Sequence, residues 1–114
     1  MPVKLKEHAT DQASFAVECG FKDLDNSTPV TPKTLHWTLL SPLRAVVNNR
    51  DGEEITELAS TVIIPLTPAD LNVADGNHRY LSLTWTYDSA TYGNDLTGRE
   101  QVLIQIDDIK EKAV

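Results

Sequence analysis

Apolar and polar residues alternate with a period of two along most of this chain. Successive side chains of a β-strand point to opposite sides, so this period is typical of strands that bury one face. The apolar positions that share a face are Ala13, Phe15, Val17, Cys19 and Phe21; Leu35, Trp37 and Leu39; Val62, Ile64 and Leu66; Leu81, Leu83, Trp85 and Tyr87; and Val102, Ile104 and Ile106. These five segments predict an all-β fold.

Turn signals separate the predicted strands. The dipeptide Asp51-Gly52 is a strong signal for a turn between short extended pieces. Thr67 followed by Pro68 matches a helix N-cap with proline at the first helical position, which predicts one short helical turn near residues 67–72. The segment EEITELAS is compatible with a helical turn or with an extended chain, and its short length and β neighbours favour the extended form.

About seven short strands without a long helix are typical of an antiparallel, immunoglobulin-like β-sandwich. The length of 114 residues predicts one domain. We assign residues 1–10 to an N-terminal arm or edge strand and residues 11–114 to a single sandwich domain. The two sheets of such a fold lie about 10 Å apart. The predicted core between them consists of Phe15, Val17, Trp37, Ile64, Leu81, Leu83, Trp85 and Ile104.

The net charge is −7, and the 10 Lys and Arg residues form no cluster. Nucleic-acid binders gain affinity from Lys and Arg side chains that neutralise phosphates, so the composition argues against a nucleic-acid partner. No apolar run is long enough to cross a bilayer, and the first residues, MPVKLKEHATDQ, lack the apolar core of a signal peptide. We therefore expect no membrane association, and a chain that is made in a cytoplasm and is kept or assembled there.

Few residues of the sequence suggest chemistry. The single cysteine, Cys19, fits a small buried hydrophobe better than a nucleophile. The histidines His8, His36 and His78 lack the spacing of a metal-binding pair. The DLDN segment that begins at Asp23 has oxygen atoms suited to calcium, but turn formation by Asp and Asn accounts for it more simply. With no Gly-rich phosphate loop or GxSxG element, we predict a non-enzyme without catalytic residues, cofactor or metal ion, while a weak ligand or calcium site in the loops stays open.

Two segments outside the predicted core are candidates for binding. The segment Asp88–Gly98, DSATYGNDLTG, reads as a long loop around Tyr92, and it is either a recognition loop or a solvated connection. The N-terminal arm alternates apolar residues with Lys4 and Lys6, a spacing that can add a strand to an exposed sheet edge. The candidate interface residues are Val3, Leu5, Tyr92, Gly93 and Asn94.

The arrangement resembles an immunoglobulin-like domain, with Trp37 on the third strand and an ADG turn before a strand that carries Tyr80. Two features depart from that pattern, because Tyr80 is in phase with the outward Ser82 and the usual pair of cysteines is absent. The sequence is also similar to small immunoglobulin-like virion proteins of tailed bacteriophages and prophages, which are encoded among head and tail genes. The shared segments, which span about residues 35–109, are LHWTLL, VVNNRDGEEI, STVIIPLTPADL and YLSLTWTYDSATYGNDLTGREQVLIQIDDI.

The resemblance implies a structural protein of a virion, at the head–tail junction, in the tail or as a decoration module. It implies partners that are copies of the same chain and other virion proteins, hence a homo-oligomer in an assembly, and no catalytic residues. The expected location is the virion, after assembly in a bacterial cytoplasm. The alternative from another class is a monomeric immunoglobulin-like binding module for a carbohydrate or peptide that uses Tyr92 and its loop.

Overall fold

The structure, a computed structural model, describes residues 3–4 and 7–108. The described chain is all-β, as the alternation predicts, with two short 3-10 helical turns at Pro68–Leu71 and Val73–Asp75. The first of these confirms the helical turn that the sequence predicts near residues 67–72. The strands of the described residues are β1 (Val3–Lys4), β2 (Ala9–Thr10), β3 (Phe15–Gly20), β4 (Thr34–Leu40), β5 (Glu53–Glu54), β6 (Thr61–Leu66), β7 (His78–Ser89) and β8 (Gly93–Asp107).

The larger sheet has the strand order β1-β8-β7-β4-β5, and β2 also pairs with β8. Strands β4, β7 and β8 form an antiparallel centre. Strands β1 and β2 instead pair in parallel with β8, with Val3 opposite Val102 and Ala9 opposite Ile106. The expectation of a purely antiparallel fold is therefore wrong at the N-terminus, because the arm lies along the edge of β8 in the direction of that strand. Of Val3 only the backbone is described, and Leu5 lies outside the described residues.

The second sheet consists of β3 and β6, which pair antiparallel from Phe15 opposite Leu66 to Gly20 opposite Thr61. Both sheets contribute their inward side chains to one hydrophobic core. Burial alternates along β6, where every second residue is buried, as the period of two requires. The predicted core residues that are fully buried are Val17, Trp37, Ile64, Leu81, Leu83 and Ile104.

Two predicted core residues, Phe15 and Trp85, are only half-buried against the core. Phe15 is the first residue of β3 and lies at the end of its sheet. Trp85 lines an open groove between β3 and β8, so part of its indole faces solvent, although its ring contacts Phe21 edge to face at 5.0 Å. Both residues therefore pack against the core, but the predicted burial of Trp85 between the sheets is only partial, since the phase of a strand does not say where the opposite sheet ends.

Strands β7 and β8 form a hairpin that is much longer than the sequence predicts. Strand β7 continues to Ser89 and β8 begins at Gly93, so the connection is only three residues, 90–92. The prediction of a long loop over Asp88–Gly98 is wrong, because the two strands keep pairing through this segment. A bulge between Tyr87 and Ser89 and a positive φ of 110° at Gly93 allow that pairing. The hairpin lies within an elongated molecule that measures 56 × 25 × 25 Å.

The chain bends at Asp51 and Gly52, where the sequence predicts a turn, with Gly52 at a φ of 64°, but the hydrogen-bonded turn lies just before it, at Asn48 and Asn49. Its flanking chain does not make a hairpin of its own. Strand β5 pairs instead with β4, where Glu53 lies opposite Trp37. The segment after β5 is extended and irregular rather than helical, which agrees with the extended reading of EEITELAS.

We predict that Gly98→Ala destabilises the protein by roughly 1–3 kcal/mol, the usual cost of overpacking. Gly98 lies opposite Trp85 in the β7–β8 ladder, and a Cβ atom there would come within 2.2 Å of Cε2 of the indole. The matched control is Gly20→Ala, since a Cβ at this other strand glycine meets nothing within 4 Å. Urea unfolding measures both, and equal stability of the two variants would contradict the packing of Trp85 over Gly98.

We also predict that Trp37→Ala costs roughly 3–5 kcal/mol of unfolding free energy, whereas Trp85→Ala costs less. Trp37 is buried in the core, while Trp85 is half-exposed and leaves a smaller cavity. Denaturant unfolding followed by circular dichroism measures the difference. A larger loss in Trp85→Ala than in Trp37→Ala would show that the groove side of the molecule carries more of the stability than the centre.

Candidate functional site

The free end of the β7–β8 hairpin, which we call the hairpin tip (residues 88–95), carries an exposed aromatic side chain. Tyr92 is the last residue of the three-residue connection, and it is 48% exposed. Gly93 and Asn94 follow it at the start of β8 and are exposed as well. The three residues predicted as an interface at this place therefore do lie together, on a strand hairpin and not on an irregular loop.

A charged cluster holds the hairpin tip in shape. Lys33 forms ion pairs with Asp88 at 2.9 Å and with Asp95, and the backbone N–H of Asp95 donates to Asp88 Oδ1 at 2.9 Å. Hydrogen bonds to Asp95 and Asp88 raise the pKa of Lys33. The backbone N–H of Asp95, and then Lys33, lower the pKa of Asp88. The contacts among Lys33, Asp88 and Asp95 thus connect the two strands next to the connection that carries Tyr92.

A buried hydrogen bond ties the hairpin tip to the loop that follows β3. Ser89 Oγ donates to Asp23 Oδ2 at 2.5 Å and accepts from the backbone N–H groups of Thr91 and Tyr92 at 3.2 and 3.0 Å. The Ser89 and Asp23 side chains are both buried. The tip is therefore anchored from inside, which limits how far it can move relative to the body.

The DLDN segment folds by turn chemistry. The Asp25 carboxylate accepts hydrogen bonds from the backbone N–H groups of Ser27 and Thr28, both at 2.9 Å, and from Thr28 Oγ1 at 2.6 Å. These bonds, led by the Thr28 hydroxyl, lower the pKa of Asp25 to about 2. Among residues 7–108, no three His, Cys, Asp or Glu side chains come together as a group that could hold a metal ion.

The opposite end of the larger sheet, which we call the loop end (residues 41–47 and 74–76), exposes apolar side chains. Leu43 is 90% exposed and Val46 is 45% exposed. They border a shallow depression of about 400 Å³ whose other walls include Pro42 and Ala74. Pro42 packs directly on Gly76, where a Cβ atom would lie 2.5 Å from the proline ring.

Arg44, which belongs to the loop end, lies with its side chain on the outer face of the sheet. Its guanidinium lies 3.7 Å from the centre of the Tyr80 ring, and its Nη1 donates to Gln101 Oε1 at 2.8 Å. Tyr80 therefore faces outward, in phase with Ser82 as the sequence indicates. Within the described part of the chain, Arg44 forms no ion pair with a carboxylate.

The loop end is built on a fully buried arginine, Arg79, which is 0% exposed. Its guanidinium donates to the backbone carbonyls of five residues, at distances from 2.6 to 3.5 Å: Asp70, Asn72, Asp75, Gly76 and His78. Burial lowers the pKa of Arg79, while the nearby Asp75 and Asp70 carboxylates favour its charged form. Arg79 thus holds both 3-10 turns against the start of β7.

Sequence reasoning did not single out Arg79, although a signal was present. Arg79 is two residues before Leu81 and therefore has the inward phase of β7. An arginine at an inward position predicts a buried charge that needs several acceptors. The acceptors are backbone carbonyls of the 3-10 turns, which no residue pattern reveals.

A second buried charge, Asp70, fixes the first 3-10 turn to the loop before β5. Its carboxylate accepts from Arg50 Nε at 2.9 Å, from Asn48 Nδ2 at 2.9 Å, and from the backbone N–H of Thr67 at 2.7 Å. Burial alone raises the pKa of Asp70, but these hydrogen bonds outweigh it and hold the pKa below its ordinary value. Thr67 and Asp70 together form a capping box at the start of the turn.

The remaining candidate residues lie apart from the hairpin tip. Val3 pairs with Val102, at the level of Leu81 in β7, which is roughly 25 Å from Ser89 at the rise of an extended strand. The histidines His36 and His78 are half-buried on the outer side of the larger sheet, opposite the core. The structure therefore does not bring the arm and Tyr92 into one site within the chain.

Cys19 is buried in the wall of the groove between β3 and β8. Burial, followed by the charge of Glu18, raises the pKa of its thiol to about 11. The thiol is therefore protonated at neutral pH, which suits the packing role that the sequence suggests for it. The groove has a volume of about 400 Å³, and its walls include Trp85, Lys22, Asn26 and Glu100.

Comparison of this chain with models of known protein families, with curated proteins and with solved structures finds no match. The helical segments of the described residues are too short to span a membrane. Function must therefore be inferred from the geometry of the hairpin tip, the loop end and the groove, together with the sequence pattern.

We predict that Asp70→Asn lowers stability at pH 7 by on the order of 2 kcal/mol, because hydrogen bonds to a charged, buried group are lost. The pKa of Asp70 is lowered in the folded protein, so its contribution is present above the unfolded pKa of about 4 and is lost as the pH falls through the folded pKa. The difference between wild type and variant should shrink below about pH 4.

Urea unfolding at pH 7 and at about pH 3 measures this difference, with the exposed Asp51→Asn as the matched control. A constant difference between Asp70→Asn and wild type at both pH values would show that the ionised carboxylate does not stabilise the fold.

Proposed function

We propose that this chain is a non-enzymatic structural component of the virion of a tailed bacteriophage or prophage, at the head–tail junction, in the tail or as a decoration module. We propose further that its two sheets form an immunoglobulin-like sandwich. It acts through protein–protein contacts with copies of itself and with other virion proteins. The sequence resemblance suggests the class of particle, and the geometry of the hairpin suggests how the contacts are made.

The observation that carries this proposal is an exposed tyrosine at the end of an anchored hairpin. Tyr92 is an amphipathic aromatic of the kind enriched in interface cores. It lies on a connection of three residues between paired strands, and Ser89 and Asp23 hold that connection from inside. Little conformational freedom is therefore lost when the tip is covered by a partner, which favours binding.

The N-terminal arm supports the same proposal in a different way. The backbone of Val3–Lys4 pairs in parallel with β8 of its own chain. A two-residue pairing at a sheet edge can equally be made by the arm of a neighbouring subunit, because the backbone groups of the edge are the same for both. Val3 and Leu5 therefore remain proposed contact residues, on a surface separate from the hairpin tip.

We expect Tyr92→Ala to reduce incorporation of the chain into particles while the thermal unfolding midpoint changes by no more than a few degrees. The side chain is half-exposed, so its removal takes little from the core. The exposed neighbour Thr91→Ala is the matched control. Particles produced in the presence of each tagged variant are purified on a density gradient and probed for the tag. Equal incorporation of Tyr92→Ala and Thr91→Ala would remove the tip from the contact surface.

The same gradient tests the function as a whole. Particles released from the source organism should contain the untagged chain at a fixed ratio to the major capsid or tail protein. A chain that stays entirely in the soluble fraction, in cultures that release intact particles, would contradict a virion role.

The groove between β3 and β8 favours a second candidate, a binding module for a carbohydrate or peptide. Trp85 lines this groove beside the polar side chains of Lys22, Asn26 and Glu100. Part of the Trp85 indole is exposed, so a ligand could pack on the ring, whereas Nε1 is buried and has no hydrogen-bond partner among the described residues. A glycan array and a peptide library, read by Trp85 fluorescence in a Trp37→Phe background, would identify such a ligand. Binding by a chain that is absent from particles would favour this candidate over the first.

A further inference from the structure

We infer that the chain associates head to tail with a second copy of itself, with the hairpin tip of one copy seated on the loop end of the next. The occupant of the shallow depression beside Leu43 is Tyr92 of the neighbouring copy. This inference rests on the proposed function, since it names the self-contact that a virion component of this kind would use.

The two surfaces lie at opposite ends of the same strand. The loop end adjoins the start of β7, where Leu40 pairs with Tyr80 and bridges to Val46. The hairpin tip includes the last residue of β7, Ser89, which is roughly 30 Å from Tyr80 at the rise of a strand. A contact between these ends joins two different patches, so a pair of copies still has one free tip and one free depression, on different copies, for further copies.

The two surfaces also match in shape and polarity. The tip projects one aromatic side chain, Tyr92, whereas the loop end has a depression of about 400 Å³. The walls of the depression include Pro42, Leu43, Val46 and Ala74, which are apolar. Leu43 is 90% exposed, and covering it removes apolar surface from water on both partners.

Charge favours this pairing over a contact between two tips. Each tip carries Asp88 and Asp95 with a single cation, Lys33, so two tips would repel each other. The loop end carries the exposed Arg44, whose described contacts are the Tyr80 ring and Gln101 and not a carboxylate. It also carries one acid, Asp75, on the rim of the depression. In a chain of net charge −7, the loop end is thus a favourable place for an acidic tip.

The contact is small, which sets its expected strength. A hairpin tip and one loop bury less than the roughly 1,200 Å² of a standard stable interface. Pairwise association should therefore be weak and dependent on concentration, and it becomes strong only where many copies are held together, as in a particle. A head-to-tail contact closes into a ring or continues as a filament, according to the rotation between neighbouring copies.

The test is a mixing experiment with two variants that are each defective at one end. Tyr92→Ala removes the aromatic side chain of the tip and leaves the depression intact. Leu43→Asp puts a charge in the wall of the depression and leaves the tip intact. Both residues are exposed, and the exposed Ile63→Asp on β6 is the matched control for a new charge on the surface. Sedimentation velocity up to about 1 mM protein, where dissociation constants near that value are measurable, follows the species.

We expect wild type and Ile63→Asp to form dimers and larger species, and each defective variant alone to associate at least about tenfold more weakly. An equimolar mixture of Tyr92→Ala and Leu43→Asp should form a one-to-one heterodimer and nothing larger, because only one intact tip and one intact depression are then present. Asp95→Asn and Arg44→Gln should each weaken wild-type association, whereas Asp51→Asn should not.

Three results would overturn the inference: a wild type that stays monomeric to about 1 mM, a Leu43→Asp variant that associates as wild type does, or a mixture that stays monomeric while wild type associates. The second result, if Tyr92→Ala alone is defective, would indicate a symmetric contact between two tips. None of them removes the proposed function, which is read separately from the presence of the chain in purified particles. A chain that is absent from particles but forms the heterodimer would contradict the virion role and leave the head-to-tail contact standing.

Discussion

The hydrogen bonds of buried Arg79 are the interaction on which the architecture of one end of this protein depends. A guanidinium without water must be surrounded by acceptors, because an unpaired buried charge costs several kcal/mol. Here the acceptors are backbone carbonyls between Asp70 and His78. These hydrogen bonds hold the irregular chain between β6 and β7, and its path brings Asp70 to the place where Arg50 and Asn48 can reach its carboxylate.

The consequences extend from this cluster to both candidate surfaces. Gly76, whose carbonyl accepts from Arg79, supports Pro42 and so positions the loop that exposes Leu43. Strand β7, whose second residue is Arg79, continues past the bulge after Tyr87 to Ser89, where a buried hydrogen bond with Asp23 fixes the hairpin tip. One strand thus connects two anchored ends. The two surfaces of the proposed self-contact therefore lie at the two ends of one strand.

Most of the fold could be predicted from the sequence, because strand phase depends on local alternation. The inward faces of β3, β4, β6, β7 and β8 follow it, as Val17, Trp37, Ile64, Leu81 and Ile104 show. The predictions failed where a distant part of the chain decides the outcome. The half-burial of Trp85 depends on where the second sheet ends, and the parallel pairing of the arm depends on the free edge of β8. Of the candidate site, Tyr92, Gly93 and Asn94 were found from loop composition, whereas the loop end around Leu43 was not, since an exposed leucine has no signature in a sequence.

The sequence by itself determined that the protein is all-β, which side of each long strand is buried, and that a helical turn begins after Thr67. Those properties depend on the period of side-chain direction and on N-cap chemistry, both of which act over a few residues. Only the tertiary structure decided that the segment from Asp88 to Gly98 continues the ladder, that Arg79 organises the turns before β7, and that exposed apolar residues lie at both ends of one strand. Each of these depends on contacts between residues distant in sequence or on backbone carbonyls, and a backbone carbonyl is the same in every residue.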